Sequence, residues 1–380
     1  MTRDTMIATF LSRHGYGEAR AAPLAQDASF RRYLRLVGGP RPAMLMDAPP
    51  PEDIRPFVRI AEHLAAIGMS VPEIIAADES QGLLLEEDLG DDLFSTSMTM
   101  FMDKAGKRKN NTPPPLVRCE EGIERRGWRA RMAHLTPTPP PEPLPPGERA
   151  FQINLLFDAA VDALVAMQCA PAPSKLPSWD AATMASTALV TLFDWWWPAM
   201  FGSAAPAAAR QEFASALETM LRPVAFGPTC FVHRDFFAGN LIWLPQRAGI
   251  RRVGVLDFQG AAIGHPAYDL ASLLQDARRD IPAATAEYAI EHYLATRPEL
   301  DPAEFRAAYA ACAAQRHLRV AGQWVRLALR DDRPAYLAHG PRTWRLLELA
   351  LREPVAAPLA AVLDRWIPPA KRRNPPSVGT

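Results

Sequence analysis

The chain has 380 residues, and its 42 Lys plus Arg balance 42 Asp plus Glu, so no global field draws it to nucleic acid or to a membrane surface. Hydrophobic residues make up 48%, enough for a core divided between two lobes, yet no run approaches the ~18 to 20 apolar residues of a membrane span. Met1-Thr2-Arg3-Asp4 opens no signal-peptide core, and the four dispersed cysteines, Cys119, Cys169, Cys230 and Cys312, lack the spacing of a zinc site or a disulfide framework, so a cytoplasmic protein with reduced thiols is expected.

In chain order, Thr5 to His14 carries a helical apolar pattern, residues 30–36 alternate as a strand, and Ala43 to Met46 form a second strand. Ile54 to Ile67 reads as an amphipathic helix, and Pro72 to Ala77 and Gly82 to Glu87 add extended pieces. Residues 1–95 are therefore expected to form a small mixed lobe ending in a hinge at Glu86-Glu87-Asp88-Leu89-Gly90-Asp91. Backbone groups there suit the edge of an adenine, although a plain acidic turn has the same composition.

Residues 96–149 break the pattern, with Pro113-Pro114-Pro115 and a proline cluster from Pro137 to Pro146 among Lys104, Lys107, Arg108 and Lys109. Such a stretch buries too little to offset backbone ordering, so a basic, disordered insertion is expected, acting as a solvated linker or as an interaction arm. Residues 150–368 read as a larger, mainly helical lobe, with helices over Thr183 to Phe201, Ala205 to Leu221, Ala283 to Thr296, Pro302 to Arg330 and Arg342 to Arg352. A frayed tail is expected over 369–380.

The chemistry sits in Val232-His233-Arg234-Asp235-Phe236-Phe237-Ala238-Gly239-Asn240-Leu241, followed by Gly254-Val255-Leu256-Asp257-Phe258-Gln259. Asp and Asn five residues apart are common in turns. Preceded by His-Arg, flanked by short apolar strands and followed by Asp-Phe-Gln, they have the spacing of a phosphoryl-transfer site. A hairpin pairing Leu241 to Leu244 with Arg252 to Leu256 would bring Asp257 opposite Asn240. Asp235 then accepts the proton of the acceptor hydroxyl, while Asn240 and Asp257 hold Mg²⁺ against the phosphates of ATP. His233 or Arg234 would brace the loop.

These residues resemble the aminoglycoside phosphotransferase and choline kinase superfamily, and more closely the anomeric sugar kinases of bacterial cell-wall recycling. The resemblance extends through Asp27 to Tyr33, Leu45 to Pro50, Leu85 to Asp91, His233 to Leu244, Val255 to Asp280, Gln315 to Gly322 and Tyr336 to Trp344. It implies an α+β, bilobal, protein-kinase-like fold with an antiparallel sheet in the small lobe, and phosphorylation of the C1 hydroxyl of N-acetylmuramate or N-acetylglucosamine. Ser29, Phe30, Arg31, Arg32, Glu87, Asp88 and Leu89 then become nucleotide contacts, and Asp269 a structural support for the catalytic loop. The inner strand Ala43 to Asp47 has no lysine, so Glu62 lacks the usual partner and Arg31 or Arg32 is the candidate for the phosphates. Phe237 and Gly260 also depart from the family pattern, which commonly has His and Asp there.

For the acceptor, Trp196 in Trp195-Trp196-Trp197 is a candidate for stacking on a sugar ring, set against simple core packing. Arg316, Arg319 and Arg326 fall on one face of a long helix, where they would meet a carboxylated sugar or solvent. The expected partner is a small-molecule sugar, with neither nucleic acid nor membrane and with a monomer favoured. A kinase for another small alcohol or aminoglycoside, and a nucleotide-binding pseudokinase scaffold, are the competing readings.

Overall fold

The computed structural model describes residues 2–24, 31–102 and 146–376, with side chains masked at 101, 102 and 146–151. Ser29, Phe30, Cys119 and most of the expected insertion, 103–145, lie outside the described residues. Two lobes with different layer chemistry enclose one cleft.

The small lobe is a five-stranded antiparallel sheet of β1 (Arg20–Pro23), β2 (Arg32–Val37), β3 (Ala43–Asp47), β4 (Ile74–Asp78) and β5 (Leu83–Glu87), in the order β1-β2-β3-β5-β4. Central β3 is buried along its whole length, and the period-two alternation of a strand divides its side chains between two clusters. Ala43 and Leu45 join Leu83 and Leu85 under Phe10 and Leu11 of helix α1 (Arg3–Arg13). Met46 and Leu84 face α2 (Arg55–Ala66), which buries Phe57, Ile60, Ala61 and Leu64 at helical spacing.

The large lobe is mainly helical, as expected. Its helices are α3 (Phe94–Met102), α4 (Pro146–Cys169), α5 (Ala181–Thr191), α6 (Trp197–Phe201), α7 (Ala207–Met220), α8 (Arg222–Phe226), α9 (Ala267–Leu274), α10 (Ala283–Thr296), α11 (Pro302–Arg330), α12 (Gly340–Ala350) and α13 (Ala357–Trp366). Short strands β6 (Ser178–Trp179), β7 (Cys230–Val232), β8 (Leu241–Trp243), β9 (Val253–Val255) and β10 (Ala262–Gly264) carry the motif residues. Helix α11 starts cleanly because Asp301 accepts hydrogen bonds from the Ala303 and Glu304 N–H groups and Pro302 takes the first helical position. It runs 29 residues through the core, and Gly322 lets it press against the end of α5, where a Cβ would meet the Thr191 carbonyl oxygen at 2.3 Å.

Two boundaries differ from expectation. Residues 96–102 and 146–149, at the edges of the expected insertion, are helical and belong to α3 and α4. The tail is not frayed over 369–376: Arg372 is buried and pairs with Glu348 and Asp364, and Asn374 donates to the Leu337 carbonyl at 2.6 Å. Two carboxylates from α12 and α13 fix this segment, and no periodic pattern announces such a partner. Among the described residues, no helix is long and apolar enough to cross a membrane. Cys169, Cys230 and Cys312 are free, and burial pushes the thiols of Cys230 and Cys312 well above the ordinary range.

Candidate active site

The expected β8–β9 hairpin forms, pairing Leu241 with Val255 and Trp243 with Val253. It is tied to the small lobe through Ser70, whose carbonyl accepts the Val255 N–H at 2.8 Å. Arg247 extends this link, donating to the Ser70 hydroxyl at 2.8 Å and to Glu87 at 2.9 Å. Just beyond the paired ends, the Leu256 N–H donates to the Asn240 carbonyl at 2.9 Å, so the backbones on either side of the cleft floor are locked together.

Asp235, Asn240 and Asp257 line a single cleft of about 660 Å³ together with hinge residues Glu86 to Asp91. The Asn240 side-chain nitrogen donates to the Asp235 carbonyl at 2.9 Å and lies 3.5 Å from Asp257 Oδ2. That anchor leaves the Asn240 Oδ1 as the atom presented to a cation. Asp257 has a left-handed backbone, with φ of 61°, and Gln259 donates to its Oδ1 at 2.7 Å. One amide oxygen and one carboxylate make a hard, oxygen-only donor set, which fits Mg²⁺ completed by phosphate and water oxygens and does not fit a soft metal.

The loop that carries Asp235 rests on buried groups. Asp269, at the start of α9, accepts the His233 and Arg234 backbone N–H groups at 2.6 and 2.9 Å. Burial pushes its carboxyl up to about 7, and these two donors oppose the rise. The buried His233 ring uses both nitrogens: Nδ1 accepts the Asp235 N–H at 3.3 Å and Nε2 meets the Leu256 carbonyl at 3.0 Å. An acceptor at one nitrogen and a donor at the other define a neutral imidazole, and burial accordingly depresses its pKa to about 4. Arg234 has a φ of 74°, donates to the Gly260 carbonyl at 3.2 Å and stacks 4.0 Å over Trp179.

Asp235 itself is half-exposed at the cleft surface, with Arg316 Nη1 3.9 Å from its Oδ1. Desolvation acts to raise its pKa, but the charges of Arg316, Arg319 and Arg234 hold the carboxyl below the usual range. Arg316, Arg319 and Arg326 all line the cleft, so the shared helical face meets the site and not bulk solvent.

At the hinge, Glu87, Asp88 and Leu89 lie on the cleft wall as expected. The Leu89 N–H makes no hydrogen bond among the described residues, and Leu24, Met44, Phe57, Pro72 and Ile242 supply apolar walls suited to a base. Arg31 and Arg32 part company because successive strand residues face opposite sides. Arg32 points to the α1 face and pairs there with buried Asp47, which Arg3 also engages, so its assignment to the nucleotide is corrected. Arg31 is buried, bonds Glu52 at 3.1 Å and donates to Tyr33, whose ring lines the cleft. Glu62 is exposed.

Trp196 is also corrected. It is fully buried against Trp344 and Phe201, and its indole N–H donates to the Arg373 carbonyl at 3.0 Å, so it presents no face to the cleft. Tyr33, Arg35, Gln259, Arg278, Gln323 and Trp324 line the cleft without having been named as site residues. Gln259 adjoins the Asp257 motif and carried a signal; the others come from separate elements whose convergence has no local signature. Glu86 is buried with its Oε2 lacking any hydrogen-bond partner among the described residues, and burial pushes its carboxyl up to about 8.

Comparison with known proteins agrees with this geometry. The phosphotransferase enzyme family model matches residues 20–303. The chain is 34% identical to a protein of Caulobacter vibrioides named N-acetylmuramate/N-acetylglucosamine kinase, over 98% of each chain. Among solved structures, it resembles a putative aminoglycoside phosphotransferase of Ralstonia eutropha (TM-score 0.58, 14% identity, 93% of this chain and 98% of that one). It also resembles the choline kinase LicA of Streptococcus pneumoniae (TM-score 0.56, 11% identity, 93% and 98%), a protein also solved in complex with AMP. These two share the fold, and the family match together with the near full-length relative shows that this chain belongs to the phosphotransferase enzyme family.

Proposed function

We propose that this protein transfers the γ-phosphoryl group of ATP to the anomeric hydroxyl of N-acetylmuramate and N-acetylglucosamine, the reaction of a sugar kinase in peptidoglycan recycling. The observation that carries the reading is the convergence of Asp235, Asn240 and Asp257 on one cleft that also opens on the hinge. The choice of acceptor is supported by near full-length similarity to a relative that bears those sugars in its name.

Asn240 through Oδ1 and Asp257 through its carboxylate would hold Mg²⁺, which supplies neutralisation of the triphosphate charge. Leu89 and the apolar walls would seat the base. Asp235 orients the acceptor hydroxyl and takes its proton. Its depressed pKa keeps it ionised at neutral pH, and a loose phosphoryl-transfer transition state asks more for alignment than for a strong base. His233, Arg234 and Asp269 act as positioning residues that fix the Asp235 backbone. Arg31 acts through Tyr33 on the nucleotide side. A cytoplasmic monomer accords with this reading.

The fold alone is shared with kinases of choline and aminoglycosides, but Arg278, Arg316, Arg319 and Arg326 at the acceptor end disfavour a cationic substrate. The test is sugar-dependent ADP release with ³¹P NMR of the product. A C1 phosphate on either sugar is expected. Binding of Mg²⁺-ATP without turnover on either sugar or on a wider panel of alcohols would instead favour a pseudokinase.

A further inference from the structure

The cleft is electrically divided. Its hinge side is lined by Glu86, Glu87, Asp88 and Asp91, with Arg35 paired to Asp88 and Asp91, while Arg278, Arg316, Arg319 and Arg326 also line it, Arg316 beside Asp235. Four guanidiniums in one partly dehydrated wall repel one another unless an anion joins them.

Two of the four already have partners in the protein. Arg316 faces Asp235 at 3.9 Å, and Arg319 donates to the Tyr268 hydroxyl at 3.2 Å. Arg278 and Arg326 have no carboxylate within salt-bridge distance among the described residues, because the nearby acids are engaged elsewhere. Asp276 accepts the Arg278 backbone N–H at 2.8 Å and faces the Arg279 guanidinium, Asp280 is held by Arg342 and Arg345, and Asp331 is held by Arg330. The Arg326 Nε is buried with no hydrogen-bond partner among the described residues.

Arg278 is also pre-oriented. Its guanidinium lies 4.4 Å from the centroid of Phe237 and 5.2 Å from that of Trp324, an arrangement that fixes its position while leaving N–H edges for a ligand. Phe237 is itself buried and closely packed, since a Cβ at Gly239 would come within 2.6 Å of its ring. Phe237, a departure from the family pattern, thus has a physical role as the platform for Arg278.

We propose that Arg278 and Arg326 form a carboxylate-binding subsite on the acceptor side, so that the enzyme discriminates in favour of the amino sugar that carries a carboxylate. This rests on the sugar-kinase reading and deepens it. N-acetylmuramate bears a lactyl carboxylate that N-acetylglucosamine lacks, while both offer the same anomeric hydroxyl. Arg278 and Arg326 therefore determine specificity and are not catalytic.

The test compares kcat/KM for the two sugars in the wild type, Arg278→Gln, Arg326→Gln and the double variant. A charged hydrogen bond contributes enough that each single variant is expected to lower the N-acetylmuramate to N-acetylglucosamine ratio by roughly tenfold, and the double variant by up to about a hundredfold. The loss should fall mainly on the KM for N-acetylmuramate. In the wild type, raising ionic strength should weaken kcat/KM for N-acetylmuramate more than for N-acetylglucosamine, a readout that needs no variant to fold. Equal losses on both sugars, or a salt response shared by both, would overturn the subsite alone. A wild type that phosphorylates neither sugar would overturn the sugar-kinase reading and the subsite together.

Discussion

Arg316 places its Nη1 3.9 Å from the Oδ1 of Asp235, and with Arg319 it outweighs the partial desolvation of that carboxyl at the cleft wall. Replacing Arg316 by Gln removes the larger of these two favourable charges. The Asp235 pKa should then rise, and the acid limb of the kcat/KM against pH profile should move to higher pH. An unmoved acid limb would show that the pair is not coupled to catalysis.

Asn240 and Asp257 approach to 3.5 Å across the cleft floor. Asn240→Ala and Asp257→Asn should each weaken Mg²⁺-dependent ATP binding by about tenfold or more, measured by calorimetry across a Mg²⁺ titration. Metal-free nucleotide binding should change far less, because the hinge is intact. Equal losses with and without Mg²⁺ would point to general damage.

Glu86 provides a pH signature in stability. Its folded-state pKa of about 8 lies above the ordinary carboxylate value, so the native state holds a proton that the unfolded chain releases. Its contribution is full below about pH 4.5 and is lost as pH rises through about 8. Glu86→Gln, which mimics the protonated form, should match the wild type near pH 5 and melt at a higher temperature than the wild type near pH 8. Parallel melting curves for the two proteins across that range would contradict the buried-acid account.

Asp269 accepts two backbone N–H groups from the catalytic loop. Asp269→Ala leaves both donors buried and unmet, which should cost about 2 to 4 kcal/mol in urea unfolding. Activity should fall as well, because the Asp235 backbone loses its anchor. A variant as stable as the wild type would show that the loop is held by other contacts.

The convergence of Asp235, Asn240 and Asp257 was legible because their spacing is local. Asp235 and Asn240 lie five residues apart on one loop, and the apolar runs Leu241 to Trp243 and Val253 to Val255 announce the hairpin that brings Asp257 across. The bilobal α+β architecture followed from the change of period between the small and large lobes. What was not legible depends on which neighbour a side chain meets. Strand alternation separates Arg31 from Arg32 only once the sheet has a known inside, and Trp196 is buried because Trp344, about 150 residues away, packs against it. The same holds for Arg372, whose two carboxylate partners come from different helices, and for Arg278, which acquires its aromatic clamp from Phe237 and Trp324.

Asp235→Asn is the most direct test of the phosphotransferase mechanism, because it keeps the shape of the side chain and removes its basicity. Pre-steady-state turnover and Mg²⁺-ATP affinity should be measured on the same preparation. The account predicts nucleotide affinity within about threefold of the wild type and a fall in the phosphoryl-transfer rate of about a thousandfold. A variant that binds ATP normally and phosphorylates its sugar at a near wild-type rate would contradict it.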